Sequence, residues 1–193
     1  TIGNQIYEAI ARHIPELSAQ AINQHVIDLL ELVGIGSNRI KQYPFQFSGG
    51  MRQRVMIAMA LACNPQIVIA DEPTTALDVM IQAQILELLG NLREKLGQAF
   101  ILVTHDLGVI AEVCDTVLVM YGGIAAEYAN VDTLYNQPAH PYTQNLLKAF
   151  PDLSNISDHL ISIPGYPPRL NDLPAGCRFA PRCPVAFDRC QTE

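Results

Sequence analysis

The sequence predicts an α/β protein, and three observations carry that prediction. Apolar residues recur at helical spacing over 18–33 and 79–96. Two short apolar runs, Ile67–Ala70 and Ala99–Thr104, are each followed by a helical pattern. A glycine pair, Gly122-Gly123, joins two further apolar runs as a hairpin turn does. The order strand, helix, strand, helix, hairpin is that of a sheet with helical crossovers.

Taken in order, residues 3–14 and 18–33 read as helices. In the second, Ile22, Val26, Leu29, Leu30 and Val33 form one stripe, and Gly34 supplies the stop. Tyr43-Pro44-Phe45-Gln46-Phe47 breaks the pattern. Ser48 then reads as the N-cap of a helix through about Ala62, ended by Asn64-Pro65. Ile67–Ala70 is wholly apolar, as a parallel strand buried on both faces should be. Val79–Leu96 is a long helix carrying Ile85, Leu89, Leu92 and Leu96 on one stripe, with Gly97 just past its end. Ala99–Thr104 is a second buried strand, Leu107–Val113 a short helix, and Thr116–Met120 with Ile124–Glu127 the hairpin. After a helical stretch over Pro141–Phe150 the texture changes: seven of the 13 prolines fall between Pro151 and Pro184, marking an irregular tail. Two parallel strands make a narrow sheet for such long helices, so further strands are expected upstream.

Composition narrows the function. With 49% hydrophobic residues in 193, a buried core is assured. A net charge of −7 argues against a polyanionic ligand, because nucleic-acid binding needs a basic face. No apolar run approaches the ~20 residues of a membrane span. Thr1-Ile2-Gly3-Asn4 shows neither a charged n-region nor a cleavage site. The missing initiator Met predicts that the chain is part of a longer protein. Of five cysteines, Cys63 and Cys114 fall in helical patterns and are expected to act as small core residues. Cys177, Cys183 and Cys190 cluster in the tail, where a chain without an export signal favours metal over disulfides.

Three signals carry chemistry, each at an element boundary. Asp71 and Glu72 end the first strand, at the rim where α/β folds bind ligands. Asp71 is suited to magnesium, which takes few carboxylates and keeps its water. Glu72 is suited to orient or deprotonate an attacking water. Ser48-Gly49-Gly50 opens a helix with exposed N–H groups and no bulk to block an anion. His105 ends the second strand, beside Asp71, in reach of a phosphate and its attacking water. His13, His25 and His159 read as solvated or satisfied. The only lysines are Lys41, Lys95 and Lys148, none before Ser or Thr, so the chain holds no phosphate-cradling G-x-x-x-x-G-K-[ST] loop.

Phe47–Arg54, Ile67–Asp78 and Thr104-His105-Asp106 resemble the signature motif, the Walker B motif plus D-loop, and the switch histidine of ABC-transporter ATPases. Tyr43-Pro44, the run Ser48–Cys63, Gln82–Leu86, His140-Pro141-Tyr142-Thr143 and Gly176–Pro184 narrow this to the oligopeptide/dipeptide (nickel) permease ATPases. The resemblance covers nearly the whole chain. It implies the C-terminal portion of such an ATPase, lacking Walker A and the Q-loop. Residues 1–64 would be the helical subdomain ending in the signature helix, 65–137 a partial ATPase core, and 138–193 the permease-type extension. It also implies roles: Asp71 for Mg2+, Glu72 as catalytic base, His105 as γ-phosphate sensor, and Asp78 bridging two subunits. Ser48, Gly49 and Gly50 would contact ATP bound to the opposite subunit. The implied partners are a second ABC ATPase subunit, two membrane permease subunits and an extracytoplasmic substrate-binding protein, with no nucleic acid. The implied location is peripheral, on the cytoplasmic face of the inner membrane.

Met51 stands where glutamine is commonest in the signature, and Phe47 where leucine is. Both changes leave the backbone donors in place. The tail is similar to an extension that holds a 4Fe–4S cluster on four thiolates. Three are present, so the fourth is expected beyond Glu193; three free thiols, or zinc with an outside ligand, are the alternatives. A rival reading is a naturally shortened, non-catalytic subunit that lends its signature helix to a complete ATPase. A soluble ABC ATPase of DNA repair or translation is a weaker rival, opposed by the His140–Thr143 stretch, the tail and the acidic charge. Cargo among dipeptides, longer peptides, nickel and glutathione is not written in this chain.

Overall fold

A computed structural model describes residues 1–149 and 163–192. Its contacts divide into two compact units, Thr1–His105 and Asp106–Glu193.

The first unit begins with helices α1 (Ile2–His13) and α2 (Ala19–Leu32). Thr1 Oγ1 accepts from the Asn4 amide at 3.3 Å and Ser18 Oγ from the Ala21 amide at 3.2 Å, each satisfying an orphan donor of the first turn. Ile2, Ile6 and Ile10 recur every fourth residue on α1 and are wholly buried. They pack with the α2 stripe of Ile22, Val26, Leu29, Leu30 and Val33. Against this cluster lies α3 (Gly49–Leu61), through Val55, Ala58 and Leu61. Each such side chain contributes roughly 1.5–3 kcal/mol by leaving water.

Strand β1 (Ile67–Asp71), helix α4 (Val79–Leu96) and strand β2 (Ala99–Val103) follow. The strands pair in parallel, with Ile69 opposite Ile101 and Asp71 opposite Val103. The expectation of burial on both faces fails. Val68 is buried with the helical core, whereas Ile67 and Ile69 are 57% and 67% exposed. Successive side chains on a strand point to opposite faces, and among the described residues of this unit no layer covers the second one. Cys63, expected in the core, is exposed because α3 stops two residues earlier.

The second unit holds α5 (Leu107–Val113), the antiparallel hairpin β3 (Thr116–Tyr121) and β4 (Ile124–Asn130), α6 (Val131–Asn136) and α7 (Pro141–Lys148). Gly122 and Gly123 have φ of 56° and 87°, the left-handed pair that a two-residue turn between twisted strands demands. A bulge between Val119 and Met120 shifts the register. Val117, Val119 and Leu134 form its core, with Ile110, Tyr142 and Leu146 packed on them. Helix α6 was not foreseen; Asn130 caps it, its Oδ1 accepting from the Thr133 amide at 2.7 Å. Helix α7 ends at Lys148, and Phe150, its expected end, lies outside the described residues, as does His159. Among the described residues no helix is long and apolar enough to cross a membrane.

Candidate functional site

Parallel pairing brings the C-terminal ends of β1 and β2 to one rim, and this alone decides which side chains meet there. Asp71, the last residue of β1, is exposed opposite Val103. The next amide, Glu72 N–H, donates to the Val103 carbonyl at 2.8 Å, extending the ladder one step past the strand. Glu72 then turns with φ +47°, in the left-handed region that a side-chain-bearing residue occupies only under constraint. That turn redirects its carboxylate toward the end of β2.

There His105 Nδ1 lies 2.8 Å from Glu72 Oε1, and Thr75 Oγ1 donates to Glu72 Oε2 at 2.8 Å. The His105 hydrogen bond first, and Thr75 second, hold the Glu72 carboxyl below its ordinary value. An ionised carboxylate only accepts, so Nδ1 carries the proton in this contact. The His105 side chain is 83% exposed and that of Glu72 38%, so the pair faces solvent, where a ligand can reach it.

The glycine-rich helix start sits against the segment after Glu72. Ser48 caps α3, its Oγ accepting from the Met51 amide at 3.4 Å. A Cβ on Gly50 would meet Ile81 Cγ2 at 2.5 Å, and one on Gly49 would meet Leu77 Cδ2 at 3.3 Å. Gly50 is therefore fixed by packing against α4 as well as by any need to admit an anion. Asp78, between those two contacts, caps α4 through Oδ1 and the Ile81 amide at 3.0 Å. The structure thus brings Glu72 and His105 into direct contact and sets Ser48, Gly49, Gly50 and Asp78 at the facing starts of α3 and α4.

In the tail, Cys177, Cys183 and Cys190 are half-buried and unbridged. Among the described residues no three His, Cys, Asp or Glu side chains gather as a metal site. Among the described residues the expected thiolate set is therefore not assembled. Aromatic packing anchors the tail. Phe179 is 1% exposed, its ring 5.1 Å from that of Tyr121, 5.4 Å from Tyr142 and 5.9 Å from His140. Arg182 Nη1 donates to the Tyr121 hydroxyl at 3.0 Å, while its Nε and Nη2 donate to the Pro164 and Ile163 carbonyls at 2.8 and 3.0 Å. Arg178 Nη1 donates to the Gly122 carbonyl at the hairpin tip.

A second carboxylate, Glu127 on β4, accepts from the Ala139 and His140 amides at 2.7 and 3.0 Å, at the start of α7. Burial raises its carboxyl, but the neighbouring Thr143 hydroxyl, the two amides and the His140 ring together bring it below its ordinary value. Thr143 is itself buried beside this group. His140 Nδ1 accepts from the Tyr142 amide at 3.0 Å, and burial pushes that imidazole down while Glu127 pushes it up, the first effect prevailing.

Sequence reasoning missed Thr75, Phe179, Arg178 and Arg182 as contributors. Thr75 left a local signal, a hydroxyl three residues after a carboxylate, the spacing of a side-chain turn. The tail anchors left none, because they act on residues far off in the chain, the two arginines reaching the hairpin across 56 and 61 residues.

Comparison with known proteins identifies the family. A family profile described as ABC transporter matches residues 3–75, and one described as oligopeptide/dipeptide transporter, C-terminal region, matches residues 126–190. The chain is 50% identical to the oligopeptide transport ATP-binding protein AppD of Bacillus subtilis, over 100% of its own length and 59% of the relative's. Against the dipeptide transport ATP-binding protein DppD of Escherichia coli the figures are the same: 50%, 100% and 59%. The chain thus spans about 59% of the length of these relatives. Among solved structures, an ATP-binding cassette dimer in a post-hydrolysis state with ADP and Pi superposes with a TM-score of 0.57 at 30% identity, over 67% of this chain and 56% of that one. A structure described as a metal-chelate type ABC transporter, inward-facing, gives a TM-score of 0.67 at 20% identity, over 76% of this chain and 57% of that one, a likeness of fold. With an α/β ABC ATPase fold and these relatives, the chain belongs to the ATP-binding family of oligopeptide/dipeptide ABC transporters.

Proposed function

We propose that this chain forms part of an ATP-hydrolysing subunit that drives an importer of dipeptides, oligopeptides or related cargo. The observation that carries the reading is the 2.8 Å contact between Glu72 and His105 at the rim of the β1–β2 pair. Glu72 is the base that orients and accepts the proton of the water attacking the γ-phosphate. His105, its Nδ1 on Glu72, senses that phosphate. Catalysis rests on positioning and on charge stabilisation.

Asp71, exposed at a strand end, fits a magnesium ion that keeps water and takes one or two carboxylates beside the nucleotide phosphates. When bound, the ion neutralises charge on those phosphates. Ser48, Gly49 and Gly50 serve the nucleotide held by a second ABC ATPase subunit, and Asp78 reaches across the same boundary. The assembly this implies has two ATPase subunits, two permease subunits and a substrate-binding protein, with this subunit peripheral on the cytoplasmic face. In the same reading residues 1–64, 65–137 and 138–193 are the helical subdomain, the core portion and the extension.

The test is ATP turnover by the longer subunit in its assembled transporter. Glu72→Gln is expected to lower kcat at least about a hundredfold, the lower bound for loss of a general base. Turnover surviving that change overturns the assignment. The 193-residue chain by itself, without a phosphate loop, is expected to show no turnover.

For the tail, the family reading places an iron–sulfur cluster on Cys177, Cys183 and Cys190 with a thiolate from outside the chain. The three side chains as placed do not fit such a cluster. Anaerobically prepared protein that is brown supports the cluster; colourless, iron-free protein removes it.

A further inference from the structure

Glu72 is gripped on both carboxylate oxygens, Oε1 by His105 and Oε2 by Thr75, each at 2.8 Å. The turn holding Thr75 is closed without its hydroxyl, because the Thr75 amide donates to the Glu72 carbonyl at 3.2 Å. Thr75 is exposed, so its side chain has no packing role in the core. Its hydroxyl therefore acts on the carboxylate and on little else. Glu72 also starts from a constrained backbone, φ +47°, with its amide tied to Val103. Backbone constraint fixes where the side chain leaves the chain, and the two donors fix the plane in which the carboxylate lies.

An ionised carboxylate offers about four acceptor positions. The His105 ring and the Thr75 hydroxyl take two and the His105 amide adds a third, which leaves room to accept from water. The arrangement can thus orient a base without exhausting it.

We propose that Thr75 is a positioning residue for the reaction, its hydroxyl locking the Glu72 carboxylate in the orientation from which it meets the attacking water. This rests on the reading of Glu72 as the base. His105 supplies the second lock. Positioning acts on the chemical step and leaves nucleotide affinity alone.

The experiment compares Thr75→Val, which keeps the shape and loses the hydroxyl, with Thr75→Ser, which keeps the hydroxyl. Both are made in the full-length subunit within its assembled transporter, beside Glu72→Gln. Thr75→Val is expected to lower kcat about tenfold, a fraction of what a misplaced group costs, with KM for ATP unchanged. Thr75→Ser is expected to restore most of the turnover. Wild-type kcat in Thr75→Val, with Glu72→Gln inactive, removes the Thr75 role and leaves the base assignment standing. Equal losses in the Val and Ser variants, or a KM that rises as kcat falls, also overturn it, since a structural defect behaves that way. An active Glu72→Gln takes down both readings.

Discussion

At the scale of single residues, two positions show how one atom decides an arrangement. Glu72 sits where a strand ends and a left-handed turn begins, and only there do its carboxylate and the His105 ring converge. The sequence made the pair legible as two strand-terminal side chains, since parallel strands must end on one rim. It could not show the turn, because positive φ at a glutamate follows from the amide bond to Val103 and has no composition of its own. Gly50 carries the opposite lesson. Its place after Ser48 suggests an open anion cradle, and the structure adds a steric reason, the 2.5 Å approach of Ile81 to any Cβ there. Gly50→Ala is expected to destabilise the first unit by about 1–3 kcal/mol, the usual cost of overpacking, read as a lower urea midpoint. Trimming Ile81 to Ala in the same chain should recover part of that loss, and an unchanged midpoint in Gly50→Ala would refute the steric argument.

At the scale of elements, α7 is held by one carboxylate from a strand and one imidazole of its own. Both groups are pushed down from their ordinary values of 4.5 and 6.5. A depressed value means the folded state binds its proton less readily than the unfolded chain, so each group stabilises above its ordinary value and loses that contribution as pH falls. His140 is expected to weaken α7 first, below about 6.5, because a protonated Nδ1 can no longer accept from the Tyr142 amide. Glu127 follows below 4.5. Acid titration followed by circular dichroism should show both limbs, and Glu127→Gln should erase the lower one. The elements themselves were largely legible. Val79–Leu96 and Leu107–Val113 have the bounds that periodicity and punctuation predict, and the hairpin follows from Gly122-Gly123. What misled was burial. An all-apolar strand reads as doubly covered, yet alternation exposes Ile67 and Ile69, since coverage is a property of neighbours. Helix α6, six residues long, is too short to leave a periodic signal.

At the scale of the whole molecule, the tail is docked by side chains that the cysteine spacing had overshadowed. Phe179 fills a cage made by Tyr121, Tyr142 and His140, and two arginines hold the hairpin's turn and the tyrosine that ends β3. Phe179→Ala is expected to cost about 3–5 kcal/mol in the second unit and to speed tryptic cleavage after Arg178 and Arg182. Unchanged cleavage would show that something else holds the tail. In the first unit, meanwhile, Ile67, Ile69, Ile101 and Val103 share one uncovered side of a sheet only two strands wide. Among the described residues no further strand pairs with the outer edge of either one. A greasy ribbon with open edges is a template for stacking like on like. Anyone purifying these residues by themselves should therefore expect clumping.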